Sequence, residues 1–289
     1  MSLTVRHHAV VEEFVAAAGP FLEAHEAENN LLFGISSTVR ATPDLFADDP
    51  AHFATVVDDA GQVVAATLRT PPHNQVLSWI DDLDAVDALV QTLGAEELPG
   101  VLGPTAGAAR FASSWTAATG QASRVEVAER IFRLSRVVAP ERPAPGSWRL
   151  AEPRDHDLIA RWVVDFLTEA MPEAPPIQDP AATADRWIAR AGRLGYLWED
   201  GDAVVSMVGA SGETPHGIRI GPVYTPPEHR GRGYASALTA AASADQLERG
   251  RGFCFLFTDL ANPTSNKIYR AIGYEPVCDV DQGRFSARA

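Results

Sequence analysis

Between residues 218 and 248 an apolar strand pattern is joined to an alanine-rich helix pattern by Pro226-Pro227-Glu228-His229-Arg230-Gly231-Arg232-Gly233-Tyr234-Ala235. Glycine reaches backbone angles closed to other residues, so Gly231 and Gly233 let several N–H groups turn toward one point. The first turn of the following helix adds N–H donors without intrahelical partners and a partial positive charge. A phosphate or diphosphate suits such a place. Arg230 and Arg232 concentrate positive charge in a chain whose net charge is −14. A P-loop would need Gly-Lys-Ser/Thr at the helix start, which this run lacks. A dinucleotide-binding turn is the closer rival, because Gly231-x-Gly233 opens a helix and Asp259 ends the next strand pattern. That turn, however, sets its glycines directly after the strand and a third Gly or Ala where Ser236 stands, whereas Pro226–Arg230 intervene here.

The rest of the chain alternates strand and helix signals. His52–Val57 and Gln62–Arg69 flank Asp58-Asp59-Ala60-Gly61, a hairpin pattern. Gln75–Ile80 reads as a strand, Asp84–Leu93 as a helix, Val101–Leu102 as a strand, Thr105–Ala118 as a helix and Val125–Leu134 as a strand closing that sheet. The stretch 137–148, VVAPERPAPGSW, has three prolines and a glycine and no periodicity, which marks a linker. Beyond it, helices over Arg154–Leu167 and Ala182–Leu194 flank a proline-rich loop, Met171–Pro180. Strands over Tyr196–Glu199 and Ala203–Ala210 flank Asp200-Gly201-Asp202, and Ile218–Thr225 is a further strand. After the helix Gly233–Glu248, the apolar run Phe253–Thr258 reads as a strand covered on both faces. A helix over Thr264–Ala271 follows, and Tyr274–Val280 and Arg284–Ser286 are expected to finish this second sheet. Both halves repeat the order helices, hairpin, strand, helix, strand, helix, strand. With 289 residues, that pattern implies two α+β units. The units are expected at 1–139 and 149–289 with a linker at 140–148.

Composition excludes several classes of partner. An acidic chain repels nucleic acid and anionic membrane, and no apolar run is long enough to span a bilayer. Cys254 and Cys278, the two cysteines, form no metal or redox spacing. No metal, nucleic-acid or membrane partner is expected, and the N-terminus lacks a secretory pattern. A cytoplasmic protein, monomeric or homodimeric, is the default.

Taken together, IRIGPVYTPPEHRGRGYASAL (218–238) and FLFTDLANPTSNKIYRAIGYEPV (255–277) resemble the core of the GNAT acyltransferase superfamily. The resemblance covers the C-terminal half. The N-terminal half shares only the order of elements and has no Arg-x-x-Gly-x-Gly/Ala turn after Ile80. It therefore resembles a degenerate copy without coenzyme binding, and the resemblance implies a tandem α+β arrangement of GNAT-like units with central mixed, mostly antiparallel sheets flanked by helices.

The resemblance implies roles. Backbone N–H groups from Arg230, Gly231, Arg232, Gly233, Tyr234 and Ala235 would hold the coenzyme A diphosphate. Val223, Tyr224 and Thr225 would pair with the pantetheine amides, which need partners like any peptide group. The Val223 N–H would face the thioester carbonyl oxygen. The strands at 218–225 and 253–258 are expected to splay, and Pro222, which removes an N–H just before the contact, marks a bulge. Asn262 and Asn266 would lie against the coenzyme. Tyr269 would donate to the leaving sulfur as general acid, although aromatic residues at helical spacing are more often core. Glu199, Asp200, Glu213, His216 and His229 read as turn or structural residues before they read as a base. The loop Phe166–Pro180, acidic through Glu169, Glu173 and Asp179, would border the acceptor, and Trp162, Trp187 and Trp198 fit either that pocket or the core. The implied activity is acetyl-CoA-dependent transfer to a primary amine of a small molecule or a protein, by direct attack on the thioester. The alternatives are a coenzyme-binding module without turnover and the same chemistry with a longer acyl or aminoacyl donor.

Overall fold

The structure is a computed structural model in which residues 2–94, 97–170, 179–190 and 192–287 are described. In chain order the elements are β1 (Thr4–His8), α1 (Val11–Ala24), α2 (Asn30–Ala41), β2 (His52–Val57), β3 (Val63–Arg69), β4 (Gln75–Leu77), α3 (Asp84–Thr92), β5 (Gly100–Pro104), α4 (Thr105–Thr119) and β6 (Ser123–Leu134). They continue with β7 (Ser147–Leu150), α5 (His156–Ala170), α6 (Ala181–Ala189), β8 (Leu194–Asp200), β9 (Ala203–Ser211), β10 (Gly217–Tyr224), α7 (Tyr234–Glu248), β11 (Phe253–Asp259), α8 (Pro263–Ala271) and β12 (Glu275–Phe285). Two compact units result. Unit 1 holds Met1–Ile131, Thr258–Asn262 and Pro276–Ala289, and unit 2 holds Phe132–Phe257 and Pro263–Glu275. Helices and mixed sheets make both units α+β.

In unit 1 the strand order β1-β2-β3-β4-β5-β12 is antiparallel except for the parallel pair β4–β5. The β2–β3 hairpin turns at Asp58, whose Oδ1 accepts the N–H groups of Ala60 (2.9 Å) and Gln62 (2.8 Å). Successive residues of a strand face opposite sides, and here they feed two cores. Phe53 packs with Phe14, Leu22 and Leu32 on the α1–α2 side, while Ala54 and Val56 pack with Val86, Leu89, Phe111 and Trp115 on the α3–α4 side.

The end of the chain departs from the sequence expectation. Residues 275–285 form one strand rather than two, and β12 pairs antiparallel with β5 of unit 1, from Val280↔Pro104 to Arg284↔Gly100. Phe285 joins Phe111 and Trp115 at ring-centroid distances of 6.4 and 6.3 Å. Arg130 holds Asp279 through two hydrogen bonds (2.6 and 2.9 Å), and Arg284 reaches Glu126 at 2.7 Å. Alternation along a strand encodes which face is apolar, not which edge it will join, so the partner was not readable locally.

In unit 2 the order β11-β10-β9-β8-β7 combines a parallel β10–β11 pair with antiparallel neighbours. Alternation again separates two cores. Tyr196, Trp198, Val205, Val208, Ile218 and Ile220 pack under α7 and α8 with Leu238, Tyr269 and Ile272. Leu197, Met207 and Tyr224 pack under α5 and α6 with Ile159, Trp162 and Trp187. The tryptophans at 162, 187 and 198 are therefore core residues, at 5%, 3% and 8% exposure. Cys254 is fully buried, and desolvation pushes its thiol up to about 12, as an inert filler requires.

Candidate functional site

Strand β10 sets up the site through two irregularities. Its register against β9 shifts between Ile220 and Val223, so an extra residue is absorbed at Gly221-Pro222. One inserted residue reverses which face the following side chains take. Ile218 and Ile220 face the α7–α8 core, and after the bulge Val223 faces it again while Tyr224 joins the α5–α6 core. The second irregularity is on the other edge. The β10–β11 ladder runs only from Gly217↔Phe253 to Arg219↔Phe255, although β10 continues to Tyr224. Among the described residues, that edge of β10 has no ladder partner from Ile220 to Tyr224.

The end of β10 is held from below. The Ser206 hydroxyl donates to the Tyr224 carbonyl at 3.0 Å and lies 2.8 Å from the Thr225 hydroxyl. Ser206 stands fully buried in the apolar run of β9, and a lone polar residue there signals a required hydrogen bond. Sequence reasoning overlooked it.

The chain then makes a 3-10 turn over Pro227–His229 and enters α7. Within the turn, the His229 N–H donates to Pro226 O (2.9 Å) and the Arg230 N–H to Pro227 O (3.3 Å). The first backbone bond of the helix runs from the Ala237 N–H to Gly233 O (3.0 Å). Among the described residues, no backbone acceptor takes the N–H groups of residues 231–236. Gly231 (φ +77°) and Gly233 (φ +85°) occupy the left-handed region, which turns these amides together and which a side chain would disfavour. The amide of Arg230 is consumed inside the turn, so the donor set begins at Gly231.

Side chains anchor the turn at both ends. Tyr234, the first residue of α7, is buried and donates its hydroxyl to the Asp200 carboxylate in the β8–β9 hairpin. The Arg230 guanidinium donates from Nε to Thr225 O (2.8 Å) and from Nη2 to both oxygens of Glu169 (3.0 and 2.7 Å), near the end of α5. Arg232 is exposed. The positive charge assigned to the anion from sequence is thus divided: Arg230 is paired with Glu169, and Arg232, exposed, lies beside the Tyr234 hydroxyl.

Tyr269 lies on α8 with its ring 6.5 Å from Phe132 and 6.0 Å from Tyr274. It shares one apolar cluster with Val223. Desolvation pushes its phenol up to about 12, so the hydroxyl stays protonated at any physiological pH. Asn266 is on the same helix. Asn262 donates its backbone N–H to Asp259 O at 3.0 Å, in the stretch that packs with unit 1.

The carboxylates weighed as a base are occupied structurally. Glu199 accepts from Arg149 at 2.7 Å, Asp200 holds Tyr234, and Glu213 pairs with Arg251. The His216 carbonyl accepts the Gly252 N–H at 2.8 Å, and the His229 Nδ1 is buried without a hydrogen-bond partner among the described residues. Glu173 and most of the expected acceptor loop lie outside the described residues. No helix among the described residues is long and apolar enough to cross a membrane.

Comparisons with known proteins bear on the family and the fold. Residues 161–274 match the acetyltransferase (GNAT) family. No curated protein matches the chain. A Drosophila protein solved as a structural-genomics target is similar over 99% of both chains at 14% identity, with a TM-score of 0.67. A GNAT-family acetyltransferase from Colwellia psychrerythraea is similar over 98% of this chain and 100% of its own, at 11% identity and TM-score 0.59. A tandem GNAT protein from the clavulanic acid biosynthesis pathway is similar over 100% of this chain and 99% of its own, at 13% identity and TM-score 0.53. At these identities the likeness concerns the fold, and it extends over both units.

Proposed function

We propose, on the premise that residues 161–274 are a domain of the acetyltransferase (GNAT) family, that the chain transfers an acetyl group from acetyl-CoA to a primary amine of a small molecule. The family supports acyl-CoA-dependent N-acyltransferase activity. The observation that carries the finer reading is the pairing of two features in unit 2: among the described residues, amides 231–236 have no backbone acceptor and one edge of β10 has no ladder partner from Ile220 to Tyr224. Together they suit a ligand with a diphosphate at one end and amide groups along an extended arm. Coenzyme A has that chemistry.

Acetyl-CoA supplies a thioester carbonyl to be attacked. The amides of Gly231, Arg232, Gly233, Tyr234 and Ala235 would neutralise the diphosphate, with Arg232 adding charge. The free edge at Val223–Thr225 would align the pantetheine arm, and the Val223 N–H would stabilise negative charge growing on the carbonyl oxygen. The amine nitrogen forms its bond to the carbonyl carbon, and the C–S bond breaks with its electron pair on sulfur. The Tyr269 hydroxyl would stabilise that sulfur as hydrogen-bond donor; a phenol near 12 is too weak an acid to hand over its proton early. The proton lost from the amine leaves to solvent, since each carboxylate weighed as a base is already engaged. Asn262 and Asn266 stay in the proposal as coenzyme contacts suggested by the resemblance. Unit 1 would be a scaffold without coenzyme: Asp81, Asp82 and Asp84 precede or open α3, where a diphosphate turn would need positive charge.

Thermal denaturation with acetyl-CoA and coenzyme A tests the binding step. A ligand at 100 times its dissociation constant adds about 2.7 kcal/mol, a rise of several degrees. Turnover is tested by released thiol across a panel of small primary amines. Absence of any stabilisation by either ligand removes the reading.

A further inference from the structure

We infer that Glu169 is a positioning residue for the diphosphate turn, acting through Arg230; this rests on the coenzyme reading above. Simple electrostatics argues the opposite role. A carboxylate beside an anion site repels the anion, so Glu169 should weaken binding by competing for the guanidinium of Arg230. The geometry points elsewhere. The hydrogen bonds of Arg230 among the described residues tie down protein rather than aim at a ligand. Its Nε holds the carbonyl of Thr225, where β10 ends. Its Nη2 spans both oxygens of Glu169 near the end of α5. Its main-chain N–H closes the 3-10 turn on Pro227, and its guanidinium carbon lies 5.9 Å from the centre of the Tyr224 ring.

Arg230 is therefore a three-way brace joining β10, α5 and the turn, and the next residue, Gly231, is the first amide donor. Two glycines at positive φ make that donor set easy to bend, so its convergence depends on what fixes its upstream end. Arg-to-carboxylate contacts are directional and restrain orientation better than a point charge would. Both partners are about half exposed, at 47% and 48%, and such pairs add little to global stability. The consequence of the pair is accordingly local: it presents the amides before the ligand arrives.

The two roles predict opposite signs. As a brace, Glu169→Gln weakens acetyl-CoA and coenzyme A about fivefold by calorimetry, with the KM for acetyl-CoA raised in proportion. As a competitor, the same variant binds more tightly, most of all at low salt. Acetyl-pantetheine, which lacks the diphosphate, isolates the site of action: its KM should be the same for wild type and Glu169→Gln. Arg230→Gln should weaken coenzyme A similarly, and the double variant should be no worse than either single one, because residues acting as one unit are not additive. Equal or tighter binding by Glu169→Gln, or an equal loss with acetyl-pantetheine, overturns the inference. If Glu169→Gln also lowers the ligand-free melting temperature, Glu169→Asp replaces it: the charge stays, the reach shortens, and weaker binding is again expected, with equal or tighter binding overturning the brace. Failure of the wild-type protein to bind coenzyme A sinks the coenzyme reading itself and this inference with it, and is recognised in the wild-type titration alone.

Discussion

At the scale of the residue, Tyr269 shows how burial shapes a chemical role. Its ring packs against Phe132 and Tyr274, as the core reading of an aromatic at helical spacing expects, and the proposed donor role would have to act from within that packing. Desolvation moves the phenol up to about 12, above its ordinary value of about 10. A phenol is neutral below its pKa, so raising the pKa extends the protonated range upward. Activity should therefore show no loss from Tyr269 ionisation through about pH 10. A falling limb near pH 10 in the pH profile of kcat that disappears in Tyr269→Phe would contradict this. Tyr269→Phe itself should lower kcat about 100-fold while the dissociation constant of acetyl-CoA stays within about twofold. A non-catalytic coenzyme-binding module would have no turnover to lose. The carboxylates are instructive in the other direction. Glu199, Asp200 and Glu213 are spent on Arg149, Tyr234 and Arg251, and only coordinates could reveal those partners.

At the scale of the element, the strand–turn–helix is the most sequence-legible part of the molecule. Pro222 announced the bulge because a residue without an N–H cannot continue a regular ladder, and the register does shift between Ile220 and Val223. Gly231 and Gly233 announced positive φ, and both have it. The energetic demand is conformational rather than steric. A Cβ on Gly233 would meet only the Ala144 Cβ at 3.8 Å, and one on Gly231 would meet nothing within 4 Å. Gly233→Ala should therefore cost about 1–2 kcal/mol in stability through backbone strain. By turning the first amides of α7 away from one another, it should also weaken acetyl-CoA binding more than tenfold in a calorimetric titration. Unchanged affinity would mean that those amides are not the diphosphate ligands. Less of the turn's support was legible. Glu169 lies 61 positions from Arg230, and neither hydrophobic period nor local spacing carries information over that distance.

At the scale of the whole molecule, the repeated order of elements predicted two α+β units, and both are present, but the last strand belongs where no local pattern could put it. Because β12 lies against β5 and Phe285 fills the Phe111–Trp115 cluster, unit 1 is completed by residues at the far end of the chain. Phe285→Ala should destabilise unit 1 by about 3 kcal/mol. Deleting residues 276–289 should expose Trp115, read as a red shift of its emission and loss of a cooperative transition; a chain lacking them that melts like the full one would contradict this. By itself the sequence determined what depends on near neighbours: helix and strand periods, the proline-marked bulge, the glycine angles and the run of helix-start amides, because these are set by sterics and bonding within a few residues. Tertiary structure alone decided which strand edge receives β12, which carboxylate braces Arg230 and how far Tyr269 is withdrawn from water. Those outcomes depend on groups far apart in the chain competing for the same partners and the same buried space.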